Sequence, residues 1–251
     1  MRANKVPLAQ STLGANALAR LESLIDGDNE FLRRRLRDDA EKAMQADPHE
    51  AHTILGLLAG LEVHVEDMRH HLEIAAQLSH SDMVEWLNRA TAELWCGQFE
   101  QAAHYSILAM KQAPHDKDVQ KAVTTMHIFH GDIPGLKILF DSLGVSTPET
   151  EMFKQVSAVM ERYNLKRDDL IRHFNKAGEI AAKHHMPVMG VQLDVSDDAI
   201  MADFFVRADY ADTSRMTNEL KDFALDEESD AALAIINGFL PGSDYRERRA
   251  G

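Results

Sequence analysis

The chain has 251 residues, 45% of them apolar, which is enough for a large core and one or two domains. Its formal net charge of −14 is a poor balance for gripping a nucleic-acid backbone, where Lys and Arg must displace counterions, and it suits basic protein partners. A single cysteine, Cys96, excludes an intramolecular disulfide and fits a reducing, cytoplasmic compartment; the longest apolar run, Ile54 to Leu61, is far short of the roughly 20 residues that span a bilayer.

Residues 1–13 read as a loose tail without the apolar stretch of a secretory signal. A short helix is expected over about 15–25, closed by Gly27, and a second from the N-cap Asn29 to about Ala46. Four arginines, Arg33, Arg34, Arg35 and Arg37, crowd this second helix. Arg34–Asp38, Arg35–Asp39 and Arg37–Glu41 fall at i,i+4, so a solvated face laced with local ion pairs is the expectation. From Asp47-Pro48 the helices come in pairs: about 50–63 with 66–79, 82–95 with 98–112, 116–129 with 134–143, and 149–163 with 167–185.

Within these pairs runs a weak internal period of 34 residues. Gly97 recurs as Gly131, Pro114 as Pro148, Trp95 as Phe129 and Phe99 as Ile133. Such a period in a helix-rich chain marks stacked helix pairs, each unable to bury its apolar face alone. The stretch 83–114 carries Trp86, Ala90, Gly97, Phe99, Ala102, Ala109 and Pro114, and on these residues it resembles a tetratricopeptide repeat (TPR). The resemblance is best over 83–148 and weaker over 36–185. Arg89, Glu93 and Ser106 stand where that family has apolar or aromatic residues, and unit 51–82 is barely recognisable.

Beyond His184-His185-Met186-Pro187 the pattern changes. Val188 to Asp194 and Ala199 to Ala208 read as two strands of a hairpin across Ser196-Asp197-Asp198. Ile200, Ala202, Phe204 and Val206 form a wholly apolar face that must be buried. A helix from Asp212 or Thr213 to about Ala224 and another over about 230–240 are expected to follow, then a charged tail.

Chemical motifs are sparse. His49 and His52 are one residue short of the zinc-binding HExxH spacing; His70-His71 and His184-His185 are adjacent pairs, and His127 and His130 lie on a helix needed for packing. Asp26-Gly27-Asp28-Asn29-Glu30 begins like a calcium loop but has Phe31 at the turn glycine. The acidic clusters Asp197-Asp198 and Asp226-Glu227-Glu228 read as solvated turn and linker, and Cys96, at a helix C-terminus, as structural. No metal, cofactor or catalytic set is expected.

The fold expected is mainly α, a TPR-like α-solenoid with a small C-terminal α+β segment. Its divisions are a tail and short helix at 1–28, the repeats at 29–185, and a hairpin with helices at 186–251 that caps the open end or forms a dimer. The resemblance implies a groove lined by the first helix of each pair, here Val84, Leu87, Asn88, Thr91 and Trp95, then Asp118, Lys121, Thr125 and Phe129. Trp95 and Phe129 would stack one repeat apart, either as anchors for a partner or as inter-repeat core. A clamp for a carboxylate tail is not implied, since Asn88 alone matches and Asp118 and Ala122 do not. A non-enzymatic, cytoplasmic scaffold for a protein or peptide partner is the leading expectation, with nucleic acid and membrane excluded. An acidic neutraliser of a basic client (antitoxin, immunity protein or secretion chaperone) and an enzyme with its site in 187–251 are the alternatives.

Overall fold

The computed structural model describes Leu21, Leu24 and residues 29–145, 150–196, 198–226 and 234–243. Ten helices and a three-stranded sheet form there. The first helix, α1 (Glu30–Ala43), starts at Asn29, whose Oδ1 accepts from the Leu32 N–H at 3.0 Å. Four helix pairs follow in sequence: α2 (Pro48–Leu61) with α3 (Val65–Leu78), α4 (Asp82–Trp95) with α5 (Phe99–Gln112), α6 (Lys117–His130) with α7 (Ile133–Ser142), and α8 (Thr150–Arg162) with α9 (Arg167–Lys183); the first three pack helix on helix, whereas α8 and α9 pack mainly on other elements. Side chains of Asp47, Asp116 and Asp132 cap α2, α6 and α7, and Pro48 sits in the first turn of α2, where no N–H is needed.

The 34-residue beat is regular in space. The second helices begin at 65, 99, 133 and 167, each 34 residues after the last. The turns at Val63, Gly97 and Gly131 hold the same step, with φ of 57°, 72° and 76°. Gly97 and Gly131 thus turn between helices as expected, because glycine enters the left-handed region without steric cost. Val63 enters it despite a branched Cβ, so the unit whose sequence hides the repeat still adopts its backbone.

The polar residues that depart from the repeat pattern each have a partner. Glu93, 2% exposed, takes a two-point hydrogen bond from Arg69 of the preceding pair at 2.8 and 2.9 Å. Arg89 donates to the Leu72 carbonyl and to Glu73, and lies over the stacked rings of Trp86 and Tyr105. Ser106 returns its hydroxyl to the Ala103 carbonyl. The α1 arginines behave differently from expectation: Arg34 pairs with Glu30, and Arg37 crosses to Glu62 at 2.6 and 2.9 Å. Leu36 and Ala40 turn toward the rest of the protein, while Glu30 and Arg34 stay exposed and Arg37 reaches across to the α2–α3 turn.

The last helix of the array, α9, leaves the solenoid path and runs back along the inter-helix turns. At Gly131 a Cβ would meet the Leu170 carbonyl oxygen at 2.7 Å, and at Gly97 the Gly178 carbonyl oxygen at 2.3 Å. Leu170 and Gly178 are eight residues apart, about 12 Å of helix. Beyond α9, Met186 and Pro187 share a cleft with Leu61, Glu62 and His64, which flank the first of the three turns. Arg167 anchors the start of α9 by a two-point bond, 2.5 Å each, to the same Asp132 that caps α7.

The strands β1 (Val188–Val195) and β2 (Ile200–Val206) pair antiparallel, closed by the Ser196 N–H on the Ala199 carbonyl at 2.9 Å. Helix α10 (Tyr210–Asp226) then leads to β3 (Ile235–Pro241), which pairs parallel to β2. This corrects the expected helix over 230–240. A short apolar run does not declare its period, and residues 235–241 bury themselves as an added strand against α9 and α10. The apolar face of β2 is buried as its pattern requires: Ile200, Phe204 and Val206 have no exposed surface and Ala202 has 1%. Strand β1 lies on α4, α6 and α8. No helix among the described residues is long and apolar enough to cross a membrane.

Candidate functional site

Helices α4 and α6 pack side by side, which brings the nine groove residues into one region. Asp118 and Lys121 are exposed and Val84 is half-buried. Leu87, Asn88, Thr91, Trp95, Thr125 and Phe129 are buried, Trp95 at 3% and Phe129 at 2% exposure. The expected Trp95–Phe129 pair is not made. Phe129 meets Phe99 at 5.4 Å and Phe204 of β2 at 6.4 Å, so the C-terminal ends of the first helices seat the chain's own sheet. The region divides in two: an inner half filled by the sheet, and an outer half, toward the N-termini of α4 and α6, that reaches solvent.

Between these halves lies a chemical anomaly. Glu85 Oε2, Asn88 Oδ1 and Thr91 Oγ1 are shut off from solvent and have no hydrogen-bond partner. Their residues are 2%, 3% and 1% exposed. Spacing of three places them on successive turns along one side of α4. Leaving a buried acceptor unpaired costs about 1–3 kcal/mol, more for a charged group. Three in a row form a strip that calls for donors. The other carboxylate oxygen of Glu85 meets His49 Nε2 at 2.8 Å, which fixes the side chain across from α2. Asn88 and Thr91 were legible in the sequence through their repeat positions. Glu85 was not, because an acid in the first helical turn reads as a dipole partner.

The remaining reactive groups make contacts within the chain. Burial pushes the Cys96 thiol up to about 12, with the Glu93 carboxylate adding to it, the opposite direction from an activated thiolate. Its Sγ lies against the Gly60 carbonyl at 3.5 Å. His127 is buried, held below the ordinary histidine range by desolvation, and bonded to the Val123 carbonyl. His130 meets Asn175, and His184 meets Glu219 of α10. His52 and His71 face each other through their Nδ1 atoms at 2.9 Å. Among the described residues no three His, Cys, Asp or Glu side chains converge as a metal-binding group.

Comparison with protein-family models, with curated proteins and with solved structures finds no match to this chain.

Proposed function

We propose that the chain is a non-enzymatic interaction protein, a TPR-type helical scaffold in the cytoplasm that takes up a basic partner segment along α4 and α6. The observation that supports this reading is the strip of unpaired acceptors at Glu85, Asn88 and Thr91. A partner supplying Lys, Arg or backbone N–H donors would satisfy it, and the net charge of −14 favours the approach of such a segment. Asp118, Lys121 and Val84 form the solvent-facing entrance, and the strip is closed over in the free chain, so uptake requires that face to open. The same charge favours a second reading, a neutraliser whose client is a small basic protein.

The test uses Thr91→Val and Asn88→Leu, which remove unpaired oxygens at nearly constant volume. A partner is first captured from the native host with the full chain and identified by mass; calorimetry then measures its basic segment against each variant. Both variants are expected to melt at or above the parent, by about 1 kcal/mol each, because a buried unsatisfied group is removed. Both are expected to bind at least tenfold more weakly, with the affinity of the parent falling as salt rises. Parent-like binding by both variants would refute the reading.

A further inference from the structure

Helices α2 and α3 are drawn tightly together at Gly56, where a Cβ would meet Leu72 Cγ at 2.7 Å. His52 lies one turn before Gly56 and His71 is next to Leu72. The same close approach therefore brings two imidazoles from separate helices face to face, Nδ1 to Nδ1 at 2.9 Å. We propose that this pair binds a late first-row divalent metal ion, Ni²⁺ or Cu²⁺, through the two Nδ1 atoms at adjacent coordination positions, with water in the others.

The spacing selects the ion. Metal–nitrogen bonds of about 2.0–2.1 Å place two nitrogens about 2.8–3.0 Å apart at a right angle, and about 3.3–3.4 Å apart at a tetrahedral angle. The 2.9 Å between His52 and His71 fits the right angle, which square-planar and tetragonal ions offer and tetrahedral Zn²⁺ does not. In the free chain one ring donates to the other, and the ring centroids, 5.1 Å apart, set the two nitrogens nearly head-on. The ion enters as each ring turns about χ2, a torsion with a broad well. The shared proton moves from Nδ1 to Nε2 of the donor ring. Both imidazoles stay neutral, both Nδ1 lone pairs go to the metal, and no net proton is released.

The surroundings suit a cation. Both rings are half-buried, so packing restrains them while solvent still reaches them. Burial, the larger cause, and neighbouring histidines hold both below the ordinary histidine range, which keeps them in the neutral, ligating form. Asp67, one turn before His71 on α3, acts on that ring as a negative charge and eases the arrival of an ion. It does not close a third protein bond, since no three such side chains converge among the described residues. The site is thus a two-point clip between α2 and α3. Motif spacing along one helix does not reveal it, because its ligands stand 19 residues apart on two helices. This inference stands apart from the partner reading, since neither histidine belongs to the α4 strip.

The test is calorimetry at neutral pH on the full chain, free of any histidine tag and stripped with a chelator, against Ni²⁺, Zn²⁺ and Mg²⁺. One saturable Ni²⁺ site per chain is expected, with Zn²⁺ weaker and Mg²⁺ not bound. Because the ion joins two helices of the folded state, Ni²⁺ should raise the melting temperature of the parent, and excess chelator should reverse the rise. His52→Gln and His71→Gln, each checked for parent-like helix content without metal, should bind Ni²⁺ at least tenfold more weakly and lose the rise. His104→Gln, at an exposed position on α5, should behave like the parent. Each variant tests the site alone, and the reversible rise in the parent tests it without any substitution. Absence of a saturable Ni²⁺ site, tighter binding of Zn²⁺, parent-like binding by a folded His52 or His71 variant, or an equal loss in the His104 variant would each overturn the proposal.

Discussion

The His52–His71 contact shows how one pair of side chains links two helices to pH. The Nδ1 atoms lie 2.9 Å apart, so one must donate and the other accept. A second proton on the pair breaks that bond. Both imidazoles are held below the ordinary histidine range, first by burial and then by neighbouring histidines, His70 acting on both and His52 on His71, against a smaller opposing effect of Asp67 on His71. The unfolded chain therefore binds protons that the folded chain refuses, and stability falls as pH drops. The contribution of the pair is complete above the unfolded value of about 6.5 and is lost as pH falls through the lower folded values. The melting temperature of the parent should drop from pH 8 to pH 5.5, and His71→Gln should show a smaller drop. His127, which neither member of the pair touches, contributes alike in both proteins and cancels in the comparison. An equal drop in the two proteins would mean that the pair is not linked to folding. The contact itself was hidden in the sequence, where His70-His71 shows only as adjacent residues on a helix.

The path of α9 separates helix propensity from packing. Gly178 lies in the middle of a helix, where Gly→Ala ordinarily stabilises by about 1 kcal/mol. Here a Cβ at 178 would meet the Gly97 carbonyl oxygen at 2.2 Å, backbone that cannot move aside cheaply. Gly178→Ala is expected to destabilise by about 2–3 kcal/mol in chemical denaturation, within the range seen for overpacked cores. Gly144→Ala is the control: φ there is 64° but nothing lies within 4 Å, so a loss of about 1 kcal/mol is expected from backbone strain alone. A stabilised Gly178→Ala would mean that α9 does not press on the turns. Much at this scale was readable. The helix pairs, the Gly97 and Gly131 turns and the β1–β2 hairpin follow from period, caps and alternation. What was not readable depends on contacts across the chain. The return path of α9 is fixed by Gly97–Gly178 and Leu170–Gly131, pairs about 80 and 40 residues apart. The strand nature of 235–241 is fixed by its pairing with β2. At the candidate site, the repeat positions singled out Asn88 and Thr91, but not that Phe129 would pack on Phe204 of β2, because a buried anchor and a core aromatic are the same residue types in the same pattern.

A stack of helix pairs is normally quasi-one-dimensional, with each pair touching only its neighbours and stability close to a sum of local terms. This molecule departs from that rule. Helix α9 touches the turns of two earlier pairs, and β1 lies across α4, α6 and α8. Phe204 sits where these elements meet: its ring has no exposed surface and packs on Phe99 of α5 at 5.7 Å, Phe174 of α9 at 5.6 Å, Phe239 of β3 at 6.0 Å and Phe129 of α6 at 6.4 Å. Removing it opens a cavity shared by helices from three different pairs and by the sheet. Phe204→Ala is expected to cost about 3–5 kcal/mol, a large part of the roughly 5–15 kcal/mol that ordinary domains possess. The pattern of loss matters more than its size. If the sheet bonds the repeats into one cooperative unit, amide exchange in the variant should rise together around Gly97, around Gly131, along α9 and in β3, and unfolding should remain a single transition. If exchange rises in β1, β2 and β3 alone while α5 and α6 keep the protection of the parent, the sheet is a passenger on a self-sufficient solenoid. That outcome would also mean that a partner could displace the sheet without unfolding the repeats, so the same measurement decides whether Phe129 can ever be presented to another chain.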